Sequence, residues 1–277
     1  MKLKKWLGLG ALIAVATLTL VACGSNSKSD AKTLKVGIMT KSETEEARWN
    51  KIQELLDKEG IKLEFTEFTD YSQPNKATAE GEVDINAFQH YNFLKNWNKE
   101  NKEDLTAIAD TYLAPIRLYP GQGVKKVEDI KDGAEIAIPN DPTNESRALY
   151  LLQAAGLIKL DVSGTELATV ANIKENKKNL KITELEASQT ARSLESVAAA
   201  VINNTFVTEA GIDPETALFI EPKDENSKQW FNIIVAKKDW KKSDKADAIE
   251  KLIKAYHTDE VKKVIEKSSK GMDQPVW

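Results

Sequence analysis

The chain has 277 residues, 41% of them hydrophobic, and a formal net charge of −4, the balance of a globular protein large enough for one big or two medium domains. Acidic and basic residues are interspersed, so no basic face for nucleic acid is expected, and runs such as Lys237-Lys238 and Lys241-Lys242 read as solvated surface. The single cysteine, Cys23, excludes an internal disulfide, so stability must come from a packed core.

The N-terminus differs in kind from the rest. Lys2, Lys4 and Lys5 precede an apolar run over residues 6–22, the layout of a secretory signal peptide, and the run falls short of the roughly 20 apolar residues of a membrane span. A small residue, Ala22, stands before Cys23, and a polar stretch follows. This resembles a bacterial lipobox, which implies removal of residues 1–22, acylation of Cys23 (palmitate among its acyl chains), and a flexible tether over residues 23–32. The expected location is the outer face of a cell membrane, held by more than one acyl chain.

From residue 33 onward, β-rich runs alternate with helical patterns, which argues for α/β layering. Residues 34–39 read as a strand. Ser42 and Glu45 form a capping box that opens a helix with Ile52, Leu55 and Leu56 on one face, ended by Gly60. Residues 61–68 follow as a second strand, giving βαβ logic, and residues 83–87 and 113–119 as further strands. A second strand set is expected at 135–138, 180–182, 198–202 and 217–220, a last strand at 230–236, and two amphipathic helices near the C-terminus. The length favours two lobes over one oversized core. Extended runs near 117–121 and 229–233 are the candidate crossings, giving lobe one as residues 33–118 plus 231–277 and lobe two as residues 119–230.

The stretch Ile138-Pro139-Asn140-Asp141-Pro142-Thr143-Asn144-Glu145-Ser146-Arg147 ends a strand and opens a helix, with Asn144 as the expected cap. Helix N-termini favour anions, so a cation at Arg147 is out of place by the dipole rule unless it clamps a carboxylate or phosphate; the alternative is an arginine paired with Glu145 or another acid. Asn203 and Asn232 sit in or beside strands, where asparagine is depleted, and their amides both donate and accept. The aromatic stretch Asn86-Ala87-Phe88-Gln89-His90-Tyr91-Asn92-Phe93-Leu94 could be core, metal site or pocket wall.

"NAFQHYNFL", "IPNDPTNESRALYLLQ", "AVINN" and "WFNIIV", with "DYSQPN" at 70–75, together resemble the methionine-binding lipoproteins of ABC importers, the NlpA/MetQ family, over essentially the whole chain. The resemblance implies a two-lobed periplasmic-binding-protein fold of type II with an interlobe cleft, and no enzymatic activity or cofactor. It implies L-methionine or a close derivative as ligand and a permease and ATPase complex as partner. Arg147 would clamp the carboxylate beside Asn144, Asn203 and Asn232 would hold the amino and carboxylate groups, and Tyr71, Phe88, His90 and Tyr91 would line the side-chain pocket. A thioether packs well against rings, so an aromatic cage suits it. The chain departs from the family pattern at Glu145-Ser146, which adds a carboxylate near the proposed anion site, and at Asn92.

Other classes fit less well. His90 and His257 are too few and too isolated for a histidine metal site. There is no Gly-x-Ser-x-Gly elbow, P-loop or dinucleotide fingerprint in the mature chain, which leaves paired-carboxylate glycoside hydrolysis as the rival enzyme reading. A lipoprotein for another small amino acid, a methionine-containing dipeptide or a metal is the alternative within transport.

Overall fold

The computed structural model describes residues 31–277, so the expected signal segment, Cys23 and most of the expected tether lie outside the described residues. β1 (Thr33–Met39) runs parallel to β2 (Lys62–Phe68), and α1 (Glu43–Asp57) crosses between them. The helix starts at the expected cap, because the Ser42 hydroxyl accepts the Glu45 N–H at 3.3 Å. The return half of the capping box is diverted: the Glu45 carboxylate accepts from Trp49 Nε1 at 2.8 Å and pairs with Arg48 instead. Trp49, Ile52 and Leu56 are buried against the sheet, as their spacing on one helical face requires.

α2 (Pro74–Glu80) leads to β3 (Ile85–His90), which pairs parallel with β1 and passes directly into α3 (Tyr91–Asn101). The strand expected over 83–87 therefore extends further toward the C-terminus. It can run through two amide side chains because both are satisfied: Asn75 Nδ2 donates to Gln89 Oε1 at 2.8 Å, and Asn86 Nδ2 donates to Thr78 Oγ1 at 2.7 Å.

The single strand expected over 113–119 is corrected. It is two strands of different sheets, β4 (Thr106–Leu113) and β5 (Arg117–Pro120), separated by Ala114-Pro115-Ile116. Proline has no N–H to donate to a ladder, so pairing stops before it and resumes in another direction after it. The start of β4 at Thr106 had no counterpart in the sequence reading.

The second sheet continues with β6 (Glu135–Pro139); α4 (Pro142–Ala154) follows, and then β7 (Lys159–Leu160) and β8 (Ile173–Glu175), which pair only with each other. β9 (Lys181–Leu185), α5 (Thr190–Ser193), β10 (Ala199–Ile202), α6 (Asn204–Glu209) and β11 (Phe219–Ile220) complete it, with strand order β11-β5-β10-β6-β9. The chain then returns through residues 221–230 to β12 (Phe231–Ala236), inserted between β3 and β4 and antiparallel to both. α7 (Ala246–Tyr256), α8 (Asp259–Ser268) and β13 (Gln274–Pro275) finish the first sheet, ordered β13-β4-β12-β3-β1-β2.

Two sheets linked by two crossings, residues 114–116 and 221–230, give the two-lobed α/β architecture. Each sheet carries its own apolar core, and a third cluster including Met39, Phe88, Tyr119, Phe206 and Met272 lies between them. Among the described residues no helix is long and apolar enough to cross a membrane.

One close approach fixes the end of β5. Gly121 N–H donates to the Ala198 carbonyl at 2.9 Å, and a Cβ on Gly121 would meet the Val197 carbonyl oxygen at 1.9 Å. Gly121→Ala must push β5 away from β10, and it is expected to lower unfolding stability by about 1–3 kcal/mol, read as a shift in the urea midpoint. An unchanged midpoint would contradict that packing.

Candidate functional site

A cleft of about 820 Å³, open mouth included, lies between the two sheets. Its first wall is the strand-to-helix junction at β3 and α3. His90 is the N-cap of α3: its Nδ1 accepts the Phe93 N–H at 3.1 Å. That places the neutral ring's proton on Nε2, which faces Asn144 Oδ1 across the cleft at 3.4 Å. Burial, helped by the Arg147 charge, pushes the His90 pKa down to about 3 from its ordinary 6.5. The imidazole is therefore a fixed neutral donor.

Phe88, Phe93 and Tyr71 gather beside it, with ring centroids of Tyr71 at 5.8 Å from Phe88 and 6.0 Å from Phe93. Phe206, on α6 of the other half, closes the cage at 5.0 Å from Tyr71. Burial pushes the Tyr71 hydroxyl pKa upward. Tyr91 stands apart. Its hydroxyl donates to Asp110 at 2.6 Å, its ring packs against Leu94, Leu105, Ile233 and Val235, and it does not line the cleft. The physical reason is the junction itself, since period-two alternation ends at His90, and Phe93, three positions further on, is the ring that turns inward.

The second wall is the start of α4. Asp141, not Asn144, is the N-cap, with Oδ1 accepting the Asn144 N–H at 3.0 Å. Pro142 explains the shift from the expected cap, because its fixed φ and missing N–H suit the first helical position and move the start upstream. Asn144, released from capping by its own side chain, becomes a relay. Its amide NH₂ donates to Asp141 Oδ2 at 2.9 Å, so its oxygen must be the group that receives Asn203 Nδ2 at 2.8 Å and His90 Nε2. Orienting the chain of amides from the Asp141 carboxylate outward leaves Asn203 Oδ1 as a buried acceptor with no partner among the described residues. Asn203 and Asn232 both line the cleft.

Arg147 is 3% exposed, and the acid it pairs with is Glu221. Nε donates to Glu221 Oε1 at 2.7 Å, and Nη2 donates to Glu221 Oε2 at 2.5 Å and to the Ala114 carbonyl at 3.0 Å. Of the five guanidinium N–H groups, the two on Nη1 have no hydrogen-bond partner among the described residues, while the residue lines the cleft. The Trp230 ring lies under the guanidinium at 4.7 Å and edge-on to His90 at 5.0 Å. Glu145 does not join this group, because its carboxylate accepts the Val170 N–H at 3.0 Å.

The cleft extends beyond these residues to Arg48, Tyr112 and Asp273, which the sequence reading did not single out, and to Glu45, which the sequence marks only as a capping-box residue. Arg48 pairs with Glu45, approaches Asp273 at 3.9 Å and lies over the Tyr112 ring at 4.5 Å. Burial raises the Asp273 carboxyl to about 6. Among the described residues no three His, Cys, Asp or Glu side chains are grouped to hold a metal ion. Glu221 and Trp230 were also missed. The only sequence signal for Glu221 was an acid placed directly after an apolar strand and before a proline.

The sequence pattern of the NlpA lipoprotein family matches residues 34–277. The chain belongs to the NlpA lipoprotein family. It is similar to the D-methionine-binding lipoprotein MetQ of Escherichia coli O157:H7, 39% identical over 100% of this chain and 99% of that protein. Among solved structures, the substrate binding protein of a methionine transporter from Streptococcus pneumoniae is 73% identical, with a TM-score of 0.87 over 89% of this chain and 96% of that one. A nutrient binding protein from Burkholderia cenocepacia bound to methionine is 37% identical, with a TM-score of 0.80 over 88% of this chain and 100% of its own. Membership in the NlpA family agrees with the two-lobed fold read above.

The His90 environment has a measurable consequence. Between pH 6.5 and about 3 the unfolded chain takes up a proton at this residue that the folded chain refuses, so the His90 contribution to stability falls as pH drops through that window. Asp273 works in the opposite sense, because its folded pKa is raised from 3.8 to about 6 and its contribution is lost as pH rises through that range. His90→Asn keeps a capping acceptor and removes the titration. Thermal midpoints measured from pH 7 to 4 should fall more steeply in the unaltered protein than in His90→Asn; parallel profiles would contradict a buried neutral His90.

Proposed function

We propose that this protein is the extracytoplasmic substrate-binding lipoprotein of an ABC importer, which captures L-methionine or a close derivative in the cleft and delivers it to a membrane permease. The observation that carries the reading is one cleft lined by Arg147 and Asn203 beside an aromatic cage, in which, among the described residues, the Arg147 Nη1 donors and the buried Asn203 Oδ1 acceptor have no hydrogen-bond partner. An α-carboxylate suits the first, an α-ammonium the second, and a thioether the rings of Tyr71, Phe88, Phe93 and Phe206. Asn232, on β12 in register with His90, supplies a further amide to the backbone groups. His90 and Asn144 fix the wall between them. The names of the similar proteins, several of which state methionine, support this choice of ligand.

In this reading lobe one comprises about residues 33–116 with 231–277 and lobe two about residues 117–230, the expected boundary at 118 moving because β5 (Arg117–Pro120) belongs to the second sheet, and the two crossings between the sheets act as the hinge. Closure brings both walls onto the ligand, and the closed form is what the permease recognises. No chemical step takes place. Acylated Cys23 holds the domain at the membrane surface.

Asn232→Ala is the cleaner test, because Asn232 is partly exposed and holds no buried charge in place. Calorimetric titration of the variant with L-methionine should show a loss of affinity of about tenfold or more with an unchanged melting temperature. Arg147→Ala should lose at least as much affinity and also melt earlier, since it strands the Glu221 carboxylate, a change that costs about 3–5 kcal/mol when the pair is fully buried. Methionine affinities within about twofold of the unaltered protein in both variants would overturn the proposed site.

A further inference from the structure

Glu221 stands outside the cleft wall, yet it ties Arg147 to both crossings between the sheets. Its Oε1 and Oε2 hold the Nε and Nη2 edge of Arg147. Oε2 also accepts the Ile116 N–H at 3.2 Å, in the first crossing between the sheets. Its own backbone N–H donates to the Ile116 carbonyl at 3.0 Å, and Glu221 begins the second crossing. Arg147 Nη2 adds a third tie by donating to Ala114, again in the first crossing. One carboxylate thus fastens the two crossings to each other and to the arginine.

The stoichiometry of donors gives this arrangement a direction. A guanidinium offers two faces for a carboxylate, the Nε–Nη2 side and the Nη1–Nη2 end. Glu221 takes the side, the Ala114 carbonyl takes one more N–H, and the Trp230 ring covers a face of the plane at 4.7 Å. These contacts leave the Nη1 end as the edge available in the cleft, so Glu221 does not compete with an incoming carboxylate for the same hydrogens. A long, flexible arginine is instead fixed in one rotamer before the ligand arrives, and the ordering cost is met during folding rather than on binding.

We infer that Glu221 is the positioning residue of the anion clamp: it presents Arg147 Nη1 to the ligand carboxylate and links that contact to both crossings of the hinge. This rests on the binding function proposed above. Glu221 touches no ligand, and it acts only on the part of the ligand that Arg147 recognises. Its loss therefore weakens carboxylate recognition and leaves side-chain and ammonium recognition in place, whereas a merely structural role would weaken all of them alike.

The test compares L-methionine with L-methioninamide, which keeps the side chain and the amine but has no carboxylate. Affinities are read by competition, so that weak binding is still measured, for the mature chain and for Glu221→Gln and Glu221→Asp, below the melting temperature of each. Glu221→Gln keeps the length and an oxygen for the Ile116 N–H, and turns an amide N–H against Arg147 Nε. Glu221→Asp keeps the charge but is one methylene too short for the fork. The expected result is a loss of about tenfold or more for methionine in both variants, with methioninamide affinity within about threefold of the unaltered protein. Equal losses for the two ligands, or methionine affinity within about threefold of the unaltered protein, would overturn the inference while leaving the binding function intact. Failure of the unaltered protein to bind methionine would instead overturn that function, and this inference with it.

Discussion

The ion pair between Arg147 and Glu221 is the constraint on which the rest of the architecture converges. A guanidinium this deeply buried is costly unless its charge and its donors are both met, and removing one partner of such a pair is far more damaging than never having built it. The fold meets that demand with groups from distant parts of the chain: a helix start at α4, the first crossing at Ala114 and Ile116, and the second crossing at Glu221 and Trp230. The site and the joint between the sheets are therefore one piece of structure. The pair leaves the donors of the Nη1 edge without a hydrogen-bond partner among the described residues.

Around that edge the cleft is ordered by neutral groups whose orientation is forced rather than free. Asp141 sets the Asn144 amide, Asn144 sets Asn203, and the α3 cap at Phe93 sets the His90 tautomer. Each link removes a choice from the next, so the cleft's donor and acceptor pattern is set by the protein's own hydrogen bonds. The low pKa of His90 follows from the same arrangement, since a charged imidazole there would be desolvated and face the Arg147 cation. Preorganisation of this kind shifts ordering costs from binding to folding.

Much of this was legible in the sequence because it depends on local rules. The βαβ start, the Ser42 cap, the strand at 230–236 and the terminal amphipathic helices are set by periodicity and capping within a few residues. The crowding of Tyr71, Phe88, His90, Asn144, Arg147, Asn203 and Asn232 into one cleft was reached through the family resemblance, and the structure brings those seven together while leaving Tyr91 in a side cluster. The failures came where a neighbour overrode the local signal. Pro115 divided one apolar run between two sheets, and Pro142 moved the helix cap from Asn144 to Asp141. Glu221 lies 74 positions from Arg147, and no pattern within either segment announces the pair. The charged end of the cleft at Arg48 and Asp273 joins α1 to the C-terminal segment across most of the chain, and only the tertiary fold shows it.

The most direct measurement is native mass spectrometry of the mature chain purified without added ligand, followed by unfolding, refolding and calorimetric titration with methionine. The account predicts a bound mass equal to methionine or a close derivative, its loss on unfolding, and saturable one-to-one uptake of methionine by the refolded protein. A preparation that carries no such mass and takes up neither methionine, its derivatives nor methionine-containing dipeptides after refolding would contradict it.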